Sequence, residues 1–300
     1  MHELDAIIAR LEPELGALEG KPEPLDGGIT NRNYRLRLGG EDLVLRICDP
    51  GAEVLGINRI TEEIASRRAA AEKIAPPVVA FLDDVPALVT RWLPGGGLTP
   101  EEVRAPENLV QVARLLRRLH DCPALPTSFD VFRLVEGQRE LAVSLPASYE
   151  RVMALAGRIE AALAPTHPEH ERVPCHNDLL TANFVRDGWR VCIVDWEYAG
   201  MNDRYFDLGN LAVNNGFGPD DERALLEAYW DAPPTDRQAA ALSLMRLVSD
   251  LREAMWGAVQ RGRSTLDFDY EAYANEHFRR LERAAADPRV EEWLAVAAAA

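Results

Sequence analysis

Short stretches of alternating apolar and polar residues dominate the first ninety positions of the chain. Residues 33–38 alternate with the period of a strand, a Gly-Gly-Glu-Asp turn follows, and residues 43–47 form an apolar return. This pattern predicts two antiparallel strands joined by a tight turn. A charged helix is predicted over 59–73, and the apolar runs 78–81 and 87–90 predict a second hairpin.

The pattern changes after the Pro-Gly-Gly-Gly segment at 94–97, which is the strongest turn signal in the chain. Beyond this segment, apolar residues recur at helical spacing over 109–119 and 152–163. Two strand-like pieces interrupt the helical pattern, at 183–185 and 191–194. The second part of the chain is therefore predicted to be mainly helical.

These patterns together predict an α+β fold with two lobes. The amino-terminal lobe, residues 1–93, is expected to carry a small antiparallel sheet. The carboxyl-terminal lobe, residues 94–300, is expected to be larger and mainly helical. Before residue 25 and after about residue 283 only generic helical patterns are found.

The charge of the chain limits its partners. Lys and Arg number 33 and Asp and Glu number 49, which gives a net charge of −16. Nucleic acids and anionic membranes are bound mainly through clustered Lys and Arg, so neither is an expected partner. No apolar run reaches the roughly 18–20 residues that span a bilayer, and the acidic start Met1-His2-Glu3-Leu4-Asp5 lacks the features of a signal peptide. A cytoplasmic protein is expected.

The four cysteines are scattered and form no C-x-x-C pair, which favours reduced, buried residues over a disulfide framework or a zinc site. Cys175 precedes His176, so a thiol nucleophile is one interpretation of this pair. The residues that follow favour a different chemistry for this segment.

Two carboxylates and an amide follow His176 in close order. Asp178 and Asn183 lie in the segment His-Asn-Asp-Leu-Leu-Thr-Ala-Asn, and an apolar strand then ends at Asp195. Phosphoryl transfer needs a carboxylate that orients the attacking hydroxyl and accepts its proton, together with oxygen ligands for magnesium. A carboxylate and an amide oxygen are suitable magnesium ligands. The segment therefore indicates phosphoryl transfer.

The pattern H-x-D-x-x-x-x-N followed by a strand and Asp resembles the catalytic and metal-binding loops of the protein-kinase-like fold. The continuation Ile-Val-Asp-Trp-Glu-Tyr-Ala-Gly at 193–200 and Phe-Asp-Leu-Gly-Asn at 206–210 is similar to the choline/ethanolamine kinase form, within the aminoglycoside phosphotransferase superfamily. This resemblance runs from about residue 27 to residue 273 and is strongest over 176–210.

The resemblance assigns roles to five residues of this region. Asp178 is implied to be the catalytic base, and Asn183 and Asp195 are implied to be Mg²⁺ ligands. His176 is implied to brace the catalytic loop, and Asp207 to fix the loop through backbone hydrogen bonds. For each Asp or Asn taken alone, a turn or capping role is the ordinary alternative.

The amino-terminal lobe supplies the residues that the resemblance assigns to ATP. They are Gly28, Thr30 and Asn31 in a glycine-rich loop, Arg46 on the returning strand, Glu62 on the next helix, and Trp92 at the inter-lobe hinge. Arg46 is a cation suited to bidentate phosphate contact, and Glu62 is implied to be its ion-pair partner. The adjacent Glu63 is an alternative partner, and either glutamate could instead be a solvated helix charge.

Four aromatic residues and one acid occupy positions that the family uses for its acceptor. They are Tyr198, Glu253, Trp256, Phe268 and Tyr273. Aromatic faces attract quaternary ammonium groups. Glu253 stands where the family commonly has another tryptophan, and Asn214 where it commonly has an acid. A carboxylate at 253 favours an ammonium that donates hydrogen bonds, unless Arg252 neutralises it.

The resemblance thus implies an ATP- and Mg²⁺-dependent kinase that phosphorylates the hydroxyl of choline, ethanolamine or a related amino alcohol. One alternative keeps the fold and takes an aminoglycoside, thiamine or another hydroxylated metabolite as acceptor. A second alternative is a non-catalytic, nucleotide-binding pseudokinase. The sequence leaves the oligomeric state and the choice of acceptor open.

Overall fold

Five antiparallel strands form the sheet of the amino-terminal part, in the order β1-β2-β3-β5-β4. The computed structural model describes residues 3–25, 31–48, 52–164 and 171–299. The elements of the amino-terminal part are α1 (Glu3–Leu15), β1 (Leu18–Leu25), β2 (Arg32–Leu38), β3 (Glu41–Ile47), α2 (Arg59–Ala71), β4 (Val78–Leu82) and β5 (Ala87–Arg91). Both predicted hairpins and the predicted helix are therefore confirmed.

The first strand of the sheet was not predicted from the sequence. Residues 18–25 were expected to be helical at most, and they form β1, which among the described strands pairs with β2 alone. Pro22 and Pro24 argue against a strand in the sequence, because proline has no N–H to donate to a neighbouring strand. An edge strand tolerates both prolines, since only one of its sides is hydrogen-bonded.

One apolar layer lies between the sheet and α1. Ile7, Ile8 and Leu11 of α1 are buried in the same cluster as Leu38 and Leu45 of the sheet. The strand alternation places these leucines on one face of the sheet. Helix α1 thus covers this face of the sheet.

The carboxyl-terminal part is mainly helical, as predicted. Its helices are α3 (Pro100–Arg104), α4 (Pro106–His120), α5 (Val131–Gly137), α6 (Tyr149–Ala162), α7 (Arg204–Asn214), α8 (Pro219–Trp230), α9 (Asp236–Gln260), α10 (Tyr270–Ala285) and α11 (Arg289–Ala298). The central helix α9 packs against α7, α10 and α11. In the described ranges, no helix combines the length and apolarity needed to cross a bilayer.

Two short strand pairs interrupt the helices and position the loops between them. β6 (Arg172–Cys175) pairs with β9 (Gly200–Asp203), and β7 (Phe184–Asp187) pairs with β8 (Arg190–Ile193). The β7–β8 hairpin confirms the prediction for 183–185 and 191–194, except that Asn183 ends a short 3-10 helix. β6 and β9 are too short to show a period in the sequence.

The Pro-Gly-Gly-Gly segment lies against β7. The N–H of Leu98 donates to the carbonyl of Phe184 at 2.9 Å, and the N–H of Arg186 donates to the carbonyl of Gly96 at 2.9 Å. A Cβ at Gly95 would lie 2.5 Å from Cβ of Arg186, so this approach requires glycine. The lobe boundary at residue 93 stays a prediction.

A substitution in the apolar layer between α1 and the sheet tests how these elements pack. Leu45 is fully buried, whereas Leu141 is 41% exposed. We expect Leu45→Ala to lower the free energy of unfolding by about 2–5 kcal/mol, because it leaves a cavity. Leu141→Ala is the control, with an expected change within about 0.5 kcal/mol. Urea unfolding measures both, and equal effects would contradict this packing.

Candidate active site

The carboxylate of Asp207 holds the loop that follows β6. The backbone N–H of His176 donates to Oδ2 of Asp207 at 2.8 Å, and the N–H of Asn177 donates to Oδ1 at 2.7 Å. His120 Nε2 lies 3.1 Å from Oδ2. These are the backbone hydrogen bonds that were expected of Asp207, and they fix the start of the loop to α7.

Asn177 bends the loop in a way that the sequence analysis did not predict. Its φ angle is 67°, in the left-handed region that asparagine tolerates better than most residues. Its side chain donates to the carbonyl of Tyr198 at 3.0 Å and accepts from Nδ2 of Asn202 at 2.8 Å. The bend therefore directs the chain from β6 toward Asp178.

His176 connects this loop to the strand that leads to Asp195. Its Nδ1 accepts the N–H of Asp178 at 3.2 Å, so Nε2 carries the proton and donates to the carbonyl of Val194 at 3.0 Å. Burial lowers the pKa of His176, which favours the neutral ring. The ring packs edge-on against Trp196, with centroids 4.6 Å apart.

Cys175 cannot serve as the nucleophile that its position beside His176 suggested. Its side chain is fully buried, and its Sγ lies 3.7 Å from the carbonyl oxygens of Asn202 and Asp203. Burial raises the pKa of the thiol well above its ordinary value, so the reactive thiolate is disfavoured.

The three residues predicted to carry the chemistry lie together. Nδ2 of Asn183 donates to the backbone carbonyl of Asp178 at 2.8 Å and to Oδ2 of Asp178 at 3.1 Å. The backbone N–H of Val194 donates to the carbonyl of Asn183 at 2.9 Å, which places Asp195 beside Asn183. Asp195 has a φ angle of 66° and thus turns out of its strand.

Arg46 brings the sheet to this constellation through two ion pairs. Its guanidinium contacts the carboxylates of Glu62 and Asp195, and its side chain is 7% exposed. The partner is Glu62 rather than Glu63, which pairs with Arg67 at 2.8 Å. Glu62 is fully buried, as expected for a carboxylate that compensates a buried cation.

A cavity of about 320 Å³ lies between the sheet and the helical part. Its walls include Arg46, Trp92, Asn183 and Asp195, together with apolar residues such as Leu88. Asn31 lies at the neighbouring cavity described next, and Gly28 and Thr30 lie outside the described residues. Of the predicted nucleotide residues that the structure describes, Arg46 and Trp92 line this cleft and Asn31 lines the neighbouring cavity. Glu62 is buried behind the cleft and lines neither cavity, but it pairs with Arg46.

A second, smaller cavity of about 150 Å³ adjoins the cleft. The two cavities share Asn33, Ala182, Asn183 and Asp195. The smaller cavity is further lined by Asn31, Asp178, Leu180, Glu197, Tyr198, Arg252, Glu253, Trp256 and Tyr273. Burial raises the pKa of Asp178 well above its ordinary value, and the Arg252 guanidinium opposes this shift.

Phe268 does not line this cavity. It is 37% exposed and packs edge-on against Tyr273, with ring centroids 5.8 Å apart. Its predicted role in acceptor binding thus has no support from its position. The substituted position Asn214 lies in a separate groove that also contains Arg104 and Arg246.

Glu253 is bound by protein groups on both of its oxygens. Oε1 accepts from Nη1 of Arg252 at 2.7 Å, and Oε2 accepts from the hydroxyl of Tyr273 at 2.8 Å. Burial opposes ionisation of Glu253, yet the Arg252 guanidinium holds its pKa below the ordinary value. The sequence left open whether Glu253 is available to an ammonium group or is neutralised by Arg252. The structure has Glu253 paired with Arg252.

Glu197 and Arg252 were not among the predicted site residues. Glu197 is 2% exposed, accepts from Nδ2 of Asn31 at 2.9 Å, and lies 3.4 Å from Nη1 of Arg59. Its place two residues after Asp195 in the Asp-Trp-Glu segment was a usable signal. Arg252 gave a weaker signal, because one arginine on a long helix is ordinarily a solvated charge.

The comparisons with known proteins agree with this geometry. Residues 21–242 match the phosphotransferase enzyme family. A choline/ethanolamine kinase family protein from Mesorhizobium loti is 31% identical, with a TM-score of 0.85 over 98% of this chain and 99% of that one. This chain belongs to the phosphotransferase enzyme family, in its choline/ethanolamine kinase branch. It is accordingly a phosphotransferase with an alcohol group as acceptor.

Two further relatives fit this family. Ethanolamine kinase 2 of Mus musculus is 28% identical over 312 residues, which cover 91% of this chain and 79% of that protein. The choline kinase LicA of Streptococcus pneumoniae has a TM-score of 0.82 at 22% identity, over 95% of this chain and 99% of that one. The second likeness supports the protein-kinase-like, two-lobe fold of this phosphotransferase.

The Asp207 contacts predict a combined loss of stability and turnover. Asp207→Asn keeps the shape of the side chain but turns an amide NH₂ toward a backbone N–H. We expect the free energy of unfolding to fall by about 1–3 kcal/mol, and kcat to fall because the loop with Asp178 is no longer held. Urea unfolding and steady-state kinetics measure the two effects.

Asp231→Asn is the matched control for that variant. Asp231 is exposed and has a φ angle of 53°, which asparagine also adopts. If both variants unfolded at the same urea concentration, the hydrogen bonds of Asp207 would not stabilise the fold as we expect.

Proposed function

We propose that this chain transfers the γ-phosphoryl group of ATP to the hydroxyl of a small amino alcohol, such as ethanolamine or choline. The observation that carries the proposal is the shared wall of the two cavities. Asn183 and Asp195 lie in that wall, and Asp178 lies on the side of the smaller cavity. A phosphoryl group bound at the wall would face an acceptor hydroxyl beside Asp178.

Asp178 supplies the general base. Its carboxylate orients the acceptor hydroxyl and takes its proton as the oxygen attacks the γ-phosphorus, and the bond from phosphorus to the bridging oxygen of ADP breaks. Asn183 holds Oδ2 of Asp178, and Arg252 holds Oδ1 at 3.2 Å. Two fixed contacts keep the base in position, which supports transfer without rearrangement at the moment of reaction.

The residues present fit a magnesium ion. Both described hydrogen bonds of the Asn183 side chain use Nδ2, so its Oδ1 remains available as a ligand. Asp195 adds a carboxylate, and oxygen donors of these two kinds are those that Mg²⁺ prefers. When bound, the ion neutralises the charge of the phosphate oxygens. Arg46 lines the larger cavity beside Asp195 and is held by Glu62, which suits it to contact a phosphate.

The size of the smaller cavity favours a small acceptor. About 150 Å³ lies well below the roughly 300–1,000 Å³ of sites that enclose drug-sized ligands. An aminoglycoside or thiamine would extend beyond it. A pseudokinase is disfavoured because the base, both proposed metal ligands and the paired cation are all assembled.

Removing the base tests the mechanism. We expect Asp178→Asn to lower kcat with ethanolamine or choline by about 10²- to 10⁴-fold, the usual contribution of a general base. ADP release with ATP and Mg²⁺ measures this effect, and Asp231→Asn is the control with wild-type turnover expected. Full turnover by a folded Asp178→Asn protein would exclude Asp178 as the base.

The proposed role of Asp195 as a metal ligand predicts a change in the magnesium requirement. We expect Asp195→Asn to raise the Mg²⁺ concentration for half-maximal activity by at least about tenfold, because even groups that only support a ligand contribute about 10- to 100-fold in metal affinity. A magnesium titration of ADP release measures this value, with Asp231→Asn again as control. An unchanged magnesium requirement would remove Asp195 from the metal site.

A further inference from the structure

The acceptor cavity contains a cation of its own. The guanidinium carbon of Arg252 lies 4.2 Å from the ring centroid of Tyr198, over the face of the ring. The Arg252 side chain is only 3% exposed, and its Nη1 binds both Glu253 and the proposed base Asp178. An ammonium group in this cavity would therefore meet an aromatic face that is already covered by a positive charge.

The rest of the aromatic wall is also bound internally. Phe129 packs edge-on against Tyr198 at a centroid distance of 6.2 Å, and Nε1 of Trp256 donates to the Tyr198 hydroxyl at 2.8 Å. Tyr198 and Trp256 are each 3% exposed. A quaternary ammonium binds mainly through such faces, because it cannot donate hydrogen bonds. The aromatic wall of this cavity therefore offers a quaternary ammonium little free aromatic face.

Hydrogen-bond acceptors dominate the remaining wall. The carboxylates of Asp178, Asp195, Glu197 and Glu253 line the cavity, and Arg252 is the cationic side chain among the lining residues. An ionised carboxylate has about four acceptor positions, and the described contacts of Glu197 come from two donors, Asn31 and Arg59. An amine that carries N–H groups can donate to such oxygens, whereas a trimethylated amine cannot.

We propose that Arg252 determines the acceptor selectivity of this chain: it occupies the ammonium position on Tyr198, so the cavity takes an alcohol whose amine donates hydrogen bonds and discriminates against a quaternary ammonium. This inference rests on the proposed kinase function. It makes Arg252 a specificity residue and assigns the recognition of the amine to carboxylates, with Glu197 foremost.

A methylation series of the acceptor tests the inference. Ethanolamine, its N-methyl and N,N-dimethyl forms, and choline differ by one methyl group each, and choline alone lacks an N–H when all are charged. We expect kcat/KM to fall about 10- to 100-fold at the last step, the size of one hydrogen bond to a charged group, and much less at the earlier steps. An even decline per methyl would indicate size selection and overturn the role of hydrogen bonding.

A double variant tests Arg252 itself. Arg252→Leu/Glu253→Gln removes the cation without leaving Glu253 unpaired, and Gln can still accept from Tyr273. We expect the ratio of kcat/KM for choline to that for ethanolamine to rise at least about tenfold, because an aromatic face is uncovered. Arg289→Leu is the control, since Arg289 also covers an aromatic ring, Trp293 at 5.2 Å, on the distant helix α11. Its ratio should stay at the wild-type value.

The outcomes separate the inference from the function on which it rests. Efficient use of choline by the wild-type protein, or an unchanged ratio in a folded double variant, would overturn the role of Arg252 and leave the kinase function intact. No transfer to any of the four acceptors would overturn the proposed function and the inference with it. Should the double variant not fold, the wild-type methylation series decides alone.

Discussion

Hydrogen bonds from two consecutive backbone amides to one buried carboxylate position the loop on which the rest of the site depends. Asp207 accepts the N–H groups of His176 and Asn177, and a carboxylate is the acceptor that makes the strongest bonds of this kind. These bonds keep Asn177 in its left-handed conformation, from which the chain turns to place Asp178. A loop placed in this way needs no strand or helix at Asp178, only rigid elements on either side.

Around this loop, buried charges are arranged so that each has a partner. Arg46 is shared by Glu62 and Asp195, and Arg252 is shared by Asp178 and Glu253. A carboxylate buried alone would become protonated, because desolvation costs the charged form far more than the neutral one. Arg252 therefore offsets part of this desolvation at the smaller cavity: its guanidinium holds the pKa of Glu253 below the ordinary value and opposes the rise that burial causes in the pKa of Asp178.

The sequence predicted the residues whose order along the chain is itself the signal. The order of residues predicted that Asp178, Asn183 and Asp195 would lie together and that Asp207 would hold the loop through backbone hydrogen bonds, and the structure has these contacts. The catalytic and metal-binding roles of the first three stay predictions. The edge strand β1 was missed because Pro22 and Pro24 suppress a strand pattern, although a sheet edge tolerates them. The left-handed conformation of Asn177 was not predicted, because a single backbone dihedral angle produces no periodic pattern in a sequence.

The acceptor wall shows where such prediction ends. The positions of Tyr198, Trp256 and Glu253 could be assigned from the chain, but whether Arg252 turned toward Glu253 or toward solvent could not. That choice depends on how α9 packs against its neighbours, which buries Arg252 beside Asp178. A cation buried there is stable only if carboxylates surround it, and the same carboxylates are those that an amine would bind. The acceptor selectivity that we propose is thus a consequence of charge compensation within the protein, and no single position of the sequence indicates it.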